Sequence, residues 1–416
     1  AKQSRGTKQS RGFRSNHEER SNQSKETLRK KVKIMSNVPN KKTVAHYVGT
    51  YLFITGSWVY NQLVNMKKFC PIVLTYNTEN LNIFPFHPIY SYSDCSIIRK
   101  IMIRLRNRGF SDNSHNYFYE VLRKNQATLL HAHFGQGGVF ALKLKTKLKI
   151  PMITTFYGAD LSQSLKDSYW DEQYQMLFEE GDLFLVEGNF MKQSLISIGC
   201  PAEKIIVQHI GVDTENLPFK PRQLAPGAKV KLLVASTFKE KKGIPCAIKA
   251  FSKVLSRCKN VELKIIGDGP MRDEIVNLID YLNLSHDIQL MGYQPYPIFR
   301  RELLDCHLFL SPSVTAQNGD TEGGSPVAIT EAQATGMPVL STYHADIPEV
   351  VLHGVTGLLV PEKDIDALAQ NIEYLVRHPE CWEELGRNGR EHIEKEYNIV
   401  KQVERLEEIY HSALCS

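Results

Sequence analysis

The chain has 416 residues, 42% hydrophobic and 23% charged, a globular composition that excludes a small disulfide scaffold or a largely disordered chain and sets an expectation of about two to three domains. Of the net charge of +6, residues 1–42 supply +10 and the rest of the chain carries −4, so a basic tail precedes a mildly acidic body and nucleic acid is not the default partner. The eight cysteines show no CxxC and no clustered Cys/His spacing, which fits a reducing cytoplasm, and no apolar run nears the roughly 20 residues of a membrane span, nor does the start hold an apolar signal core.

Residues 1–42 are rich in Lys, Arg, Ser, Asn and Gln, with KQSRG at 2–6 repeated at 8–12. Such a segment buries too little apolar surface to offset its chain entropy and is expected to be disordered. It reads either as an upstream extension before Met35 or as an anchor for an anionic surface. From Thr43 onward, β-branched and aromatic runs (TVAHYV, PIVLTY, ATLLHAHF, MITTFY, LFLVE) alternate with amphipathic stretches, the pattern of a parallel sheet with crossover helices.

Within the first unit, residues 96–110 place Ile97, Ile98, Ile101, Met102 and Leu105 on one helical stripe amid Arg99, Lys100, Arg104, Arg106 and Arg108. That pattern suits an interfacial helix on an anionic membrane, extended by lysines 143, 145, 147 and 149, or ordinary helices with solvated basic faces. A polar, Pro-containing stretch over 216–228 predicts a linker. After it come KLLVAST, ELKIIGDG, DIQLMG, LFLSPS, PVLST and GLLV as a second set of strands, and then helices whose stripe of Ile393, Tyr397, Val400, Val403, Leu406, Ile409 and Tyr410 must pack on something. The expected units are 43–215, 229–395 and a C-terminal helix over 396–416.

In such folds ligands sit beyond the carboxyl ends of the strands. The loop after KLLVAST is FKEKKG, with Lys239 and Lys242 before a helix, a set suited to a diphosphate though equally read, alone, as a charged turn. Asp268-Gly269-Pro270 is a tight turn, and Tyr293 after Gly292 offers a ring to a flat base. The stretch Asp320-Thr321-Glu322-Gly323-Gly324-Ser325-Pro326, followed by a helix bearing Glu331, combines carboxylates for sugar hydroxyls with a glycine turn for phosphate.

VASTFKEKKG, IIGDGP, LMGY, TEGGSPVAITEA and HADIPEVVLHGVTGLLV, in that order, resemble the retaining glycosyltransferases of family 4, in particular enzymes of bacterial exopolysaccharide assembly of the colanic-acid type. The resemblance spans residues 43–416 and implies the GT-B fold, with two Rossmann-like α/β domains facing across a cleft and the last helix returning to the first domain. It implies Lys242 and Lys239 on the departing diphosphate, Glu331 on the ribose and Tyr293 beside Gly292 at the base. Glu322 with Gly323, Gly324 and Ser325 would hold the donor sugar and phosphate. The donor would be a UDP-sugar or, second, a GDP-sugar, and the acceptor a saccharide or polyprenyl-linked saccharide, with no metal required. The enzyme would be cytoplasmic, either free or peripheral on the membrane's inner face.

Four positions depart from that pattern. Glu322 and Glu331 are separated by eight residues, one more than E-x7-E. Ser236-Thr237 replace Gly-Arg before the phosphate loop, Tyr157 replaces a histidine, and Gly56-Ser57 replace Glu-Thr. Thr237 and Gly56 are still assigned to the donor site, and Tyr157 and Asp160 to the acceptor side. His131 and His133 alternate along a strand, which is read as sending one to the core and the other, His133, to the cleft as a third catalytic candidate with Glu322 and Lys242. The only D-x-D near a loop, Asp364-Ile365-Asp366, is read as a helix start capped by Asp366. A nucleotide-sugar 2-epimerase and a degenerate nucleotide-sugar-binding module are the rival readings.

Overall fold

The computed structural model describes residues 41–106, 112–162 and 167–415; the tail read from residues 1–42 lies, but for its last two, outside the described residues. Seven strands form the first sheet: β1 (Thr43–Tyr51), β2 (Cys70–Thr78), β3 (Ile89–Ser91), β4 (Ala127–His133), β5 (Met152–Thr155), β6 (Leu183–Val186) and β7 (Ile205–Val207), in the order β3-β2-β1-β4-β5-β6-β7. The second holds β8 (Val230–Ala235), β9 (Val261–Ile266), β10 (Ile288–Gly292), β11 (Leu308–Ser311), β12 (Val339–Thr342) and β13 (Gly357–Val360), in the order β10-β9-β8-β11-β12-β13. All pairings within the two sheets are parallel. Short runs such as LLHAH and FLV are buried on both faces by crossover helices, which is why they read as continuous apolar segments. The strand order reverses between β1 and β4 in one sheet and between β8 and β11 in the other, and ligands bind such sheets at these crevices.

The C-terminal stripe finds its partner in the first domain. From the helix Ile399–Ala413, Ile399, Val403, Leu406, Ile409 and Tyr410 share a cluster with Val44, Met66, Phe69, Leu129, Ile153 and Leu185. Asn398 caps this helix through the N–H groups of Val400 and Lys401. The fully buried Glu407 accepts backbone hydrogen bonds from Lys67, Lys68 and Phe69 at 2.8, 2.5 and 3.2 Å. Glu407→Ala strands three backbone donors together, and we expect it to lower stability by about 3 kcal/mol in urea unfolding; a change within 0.5 kcal/mol, roughly that of a surface substitution, would show the contact to be dispensable.

The helix Ile97–Arg106 turns its apolar stripe outward. Ile97, Ile98 and Leu105 are 75%, 71% and 71% exposed, whereas Ile103 alone is buried. Arg99 and Lys100 lie over the rings of Tyr117 and Tyr92 at 5.5 and 4.4 Å. In the lysine row, Lys145 is tied to Asp182 at 3.0 Å. Asp364, not Asp366, is the N-cap of the helix Ile365–Arg377: its carboxylate reaches the N–H of Ala367 at 2.9 Å, while Asp366 pairs with Lys253 at 2.5 Å. The cap falls there because Asp364 immediately precedes the first helical residue, so its carboxylate reaches a free N–H of the first turn, whereas Asp366 already lies inside the helix.

Candidate functional site

The loops after β8 and β11 flank the crevice of the second sheet. Gly267 and Gly269, at φ +144° and +155°, lie so close to the β8 loop that a Cβ on Gly267 would sit 1.9 Å from the Ser236 carbonyl oxygen. Phe238 N–H donates to the Asp268 carbonyl at 2.9 Å. The tight turn thus supports the Thr237–Lys242 loop.

The three lysines of that loop divide their work. Lys239 is exposed at its rim. Lys241 is buried and donates to Asp320 Oδ1 at 3.1 Å and the Thr321 carbonyl at 2.7 Å, bracing one strand-end loop on the other. Lys242 forms a nearly buried ion pair with Glu322 at 2.7 Å. Glu322 also accepts from Ser313 at 2.8 Å, and its N–H donates to His344 Nε2 at 3.1 Å. The opposite ring nitrogen of His344 therefore donates to Glu362, at 2.7 Å. Burial would raise the Glu322 carboxyl, but Lys242, Lys241 and these hydrogen bonds outweigh it and hold it below the ordinary range. Despite the extra residue before Glu331, Glu322 and Lys242 are brought together as a preset charge pair.

Glu331 lies on the helix Val327–Ala334, which opens after Pro326. Its carboxylate accepts the Tyr296 hydroxyl at 3.0 Å, and burial pushes it up to about 7 against that hydrogen bond. Tyr293 is half exposed beside Gly292, whose φ is +67°. Gly323, at φ +75°, meets Gly158 of the first domain back to back: a Cβ on either would come within 2.2 Å of the other chain segment. Ser162 also donates to Asp320 at 3.0 Å across the same seam, so the two strand-end surfaces are closed on one another here.

On the first-domain side, a cavity of about 270 Å³ opens at the β1/β4 reversal, lined by Tyr47, Phe53, His133, Phe134 and Gln136 among others. Tyr157 backs it. Its hydroxyl is 2.7 Å from His133 Nδ1, and His133 Nε2 is 3.0 Å from His46 Nδ1. Burial raises the Tyr157 hydroxyl and lowers His133 to about 3, so the phenol donates, the imidazole is neutral, and neither is a base near neutral pH.

The reason for dividing His131 and His133 between core and cleft is corrected, although His133, nearer the strand end, does line this cavity while His131 does not. Residues two apart share a strand face, and the two rings stack at 4.4 Å, both buried, with His46 beside them through its register with His131. His131 is bound by Tyr410 and Thr155 at 2.5 and 2.7 Å. Asp160 turns inward, accepting from Gly135 N–H at 2.9 Å and Tyr157 N–H at 3.0 Å, and so fixes two strand-end loops; burial lifts it to about 6 against those bonds. Gly56 precedes the helix Ser57–Asn65, whose Trp58 packs on Tyr157 with ring centres 5.7 Å apart.

Among the described residues, two clusters bring metal-binding atoms together: the three histidines, and Glu302 with Asp305 and Cys306. Protein partners already engage both, the latter through Lys264 at 2.6 and 3.2 Å. Sequence reading passed over Lys241, Ser313, His344, His46 and Tyr296. Of these, Lys241 and His344 lay inside stretches already singled out, KEKKG and HADIPE, and only burial distinguishes them from neighbours.

Comparison with known proteins shows the family and the fold. Residues 217–392 match the model of glycosyl transferases group 1, and residues 92–216 that of glycosyltransferase family 4. A putative colanic acid biosynthesis glycosyltransferase, WcaL, from Salmonella typhimurium is 36% identical over 275 residues, 65% of this chain and 67% of that protein. The chain belongs to the family 4 glycosyltransferases. The amylovoran biosynthesis glycosyltransferase AmsK of Erwinia amylovora is 37% identical over 246 residues, 58% of this chain and 60% of its own, so the matched region spans about three-fifths to two thirds of these curated relatives. The fold is GT-B: Anabaena HepE in complex with UDP superposes with TM-score 0.74 at 17% identity, covering 90% of this chain and 100% of that one. Sucrose-phosphate synthase from Thermosynechococcus elongatus does so at 0.70 and 17%, with the same coverage. The glycosyltransferase family and the two-domain architecture expected from the strand-end motifs are thus borne out.

Proposed function

We propose that this glycosyltransferase moves a hexosyl group from a nucleotide-diphosphate-sugar, a UDP-sugar first and a GDP-sugar second, to a saccharide or polyprenyl-linked saccharide in exopolysaccharide assembly, with retention of anomeric configuration. The observation that carries this reading is the Lys242–Glu322 pair at 2.7 Å beside the Gly323–Ser325 turn, with Glu331 on the helix that follows. A lysine and a helix N-terminus meet the diphosphate, one carboxylate meets the ribose and the other the sugar. The UDP preference draws on HepE, whose structures contain UDP or UDP-glucose, and the pathway on WcaL and AmsK.

Because Tyr157 and His133 are held neutral, the leaving diphosphate itself takes the acceptor hydroxyl's proton on the face where the bond breaks, which gives retention. The protein's share is positioning and charge stabilisation. Lysine charge takes the place of a divalent ion, and Asp364 and Asp366 are occupied as a cap and an ion pair. Mass-spectrometric detection of nucleoside diphosphate release across UDP- and GDP-sugars, with and without EDTA, followed by NMR of the product's anomeric coupling, tests this. One donor used, unchanged by EDTA and giving a retained anomer, supports it; an inverted product or EDTA-abolished turnover refutes those parts.

The outward stripe of Ile97, Ile98, Ile101, Met102 and Leu105 with Arg99 and Lys100 supports a peripheral seat on an anionic bilayer, where a polyprenyl acceptor is presented. We expect sedimentation with phosphatidylglycerol vesicles but not with phosphatidylcholine, weakened roughly tenfold by the I97S/I98S/L105S variant. Equal binding by that variant would contradict the seat. No helix among the described residues is long and apolar enough to cross a membrane.

A further inference from the structure

Directly after β6, Glu187 leaves the first domain and lays its side chain against the second. A Cβ built on Gly324 would sit 1.9 Å from Glu187 Oε2 and 3.0 Å from its Cβ, so only glycine at 324 admits this side chain. The contact is returned. The helix Asn189–Ser197 has no cap of its own, and its first N–H groups, from Asn189 and Phe190, bond to Glu349 and Asp346 of the second domain at 2.7 Å each. Between these contacts lies a cavity of about 20 Å³ lined by Glu187, Ser325, Thr330 and Asp346 among others, close to the size of one water. Ser325 Oγ and Asp346 Oδ2 are buried along it without a hydrogen-bond partner, and Asp346 is 3% exposed. The seam therefore holds unmet polar groups beside the turn read above as the phosphate seat.

Glu187 faces Asp346, Asp160 and Glu322, with Lys242 opposing them, and the hydroxyls of Tyr157 and Tyr397 near it; its own carbonyl accepts from His209. Three carboxyls around a fourth in a closed space disfavour a second negative charge. Burial, then Asp346, Asp160 and Glu322, push Glu187 well above the carboxylate range, while Tyr157 and Tyr397 stay protonated by burial. A neutral carboxyl keeps an O–H to donate, which a carboxylate lacks.

We propose that Glu187 is a further donor-site residue, a carboxyl contributed by the first domain that hydrogen-bonds the diphosphate seated on the Gly324–Ser325 turn. The inference rests on the nucleotide-sugar reading above and deepens it.

Calorimetric titration of UDP into the full chain between pH 6 and 9, with Glu187→Ala, Glu187→Gln and Glu331→Ala alongside and thermal unfolding of each without nucleotide, tests it. We expect Glu187→Ala to weaken UDP roughly tenfold at pH 6.5, as loss of a hydrogen bond to a charged group does, and Glu187→Gln, which keeps a donor, to regain most of that loss. Native affinity falls again at alkaline pH as Glu187 ionises against the phosphates, and in an Asp346→Asn background, which removes the neighbouring carboxyl raised to about 7, that fall is absent in Glu187→Gln. Tighter UDP binding by Glu187→Ala would mean the group acts as a carboxylate, and pH profiles identical in native and Gln forms would mean a structural role; either overturns the proposal. Loss of UDP binding in Glu331→Ala with none in Glu187→Ala sinks this inference alone, whereas a folded native protein that binds no nucleotide sinks both.

Discussion

We expect Lys242→Ala to lower the turnover number of sugar transfer by about two to three orders of magnitude, because on the proposed reading the ammonium beside Glu322 is the fixed positive charge that meets the departing diphosphate. The same change leaves the buried Glu322 carboxylate bonded to Ser313, with Lys241 as the neighbouring cation, and breaking such a pair costs about 3–5 kcal/mol. Stability and chemistry must therefore be separated. In the double variant Lys242→Ala/Glu322→Gln the buried charge is gone, so the melting temperature recovers while turnover stays low. Steady-state kinetics at saturating donor together with thermal unfolding read both. Recovery of turnover along with stability would show that Lys242 serves only the fold. Lys239, exposed at the rim, should lose less than tenfold on the same replacement.

The second large effect is a pH dependence of nucleotide binding set by Glu331. Its carboxyl is raised to about 7, burial being the first cause and the Tyr296 hydroxyl opposing it. On the proposed reading, in which Glu331 meets the ribose, only the ionised form accepts both hydroxyls. A group whose pKa is raised in the free protein must lose its proton to bind, so affinity increases with pH up to about 7 and falls by on the order of tenfold for each unit below. The ligand's own phosphate ionisation works in the same direction, and Glu331→Gln, which cannot titrate, isolates it. We expect that variant to bind at least tenfold more weakly at pH 8 and to retain only the shallow phosphate dependence. Calorimetric titration of UDP from pH 5.5 to 8.5 checks it; equal slopes in native and Gln forms would contradict the assignment.

Much of the fold was legible because each local signal had one physical solution. Apolar runs such as LLHAH and FLV had to be strands covered on both faces, and the stripe from Ile399 to Tyr410 had to be buried, which the first domain does. The second-sheet loops were legible because glycine turns, lysines and carboxylates cluster there in chain order. What stayed hidden depends on one element meeting another. Nothing in FKEKKG separates Lys241, which braces Asp320, from Lys242, which faces Glu322; three-dimensional closure does. Glu187 and Asp346 lie about 160 residues apart in sequence, and only the docking of two domains sets them beside one another. The facing argument for the histidine pair failed for a simpler reason, that positions two apart in a strand point the same way; nearness to the strand end is what brings His133 to the cavity. The cap at Asp364 was missed because D-x-D supplies two equivalent candidates and the helix start, not composition, chooses.

The most direct test of the central claim, that the crevice between β8 and β11 is a nucleotide-sugar site, is calorimetric titration of UDP, GDP and ADP into the native chain and Glu331→Ala at pH 8. Saturable binding of one nucleotide, strongest for UDP and lost in the variant while its unfolding transition is unchanged, is the result expected. Heat from none of the three in a folded sample, or binding that survives Glu331→Ala undiminished, would contradict it.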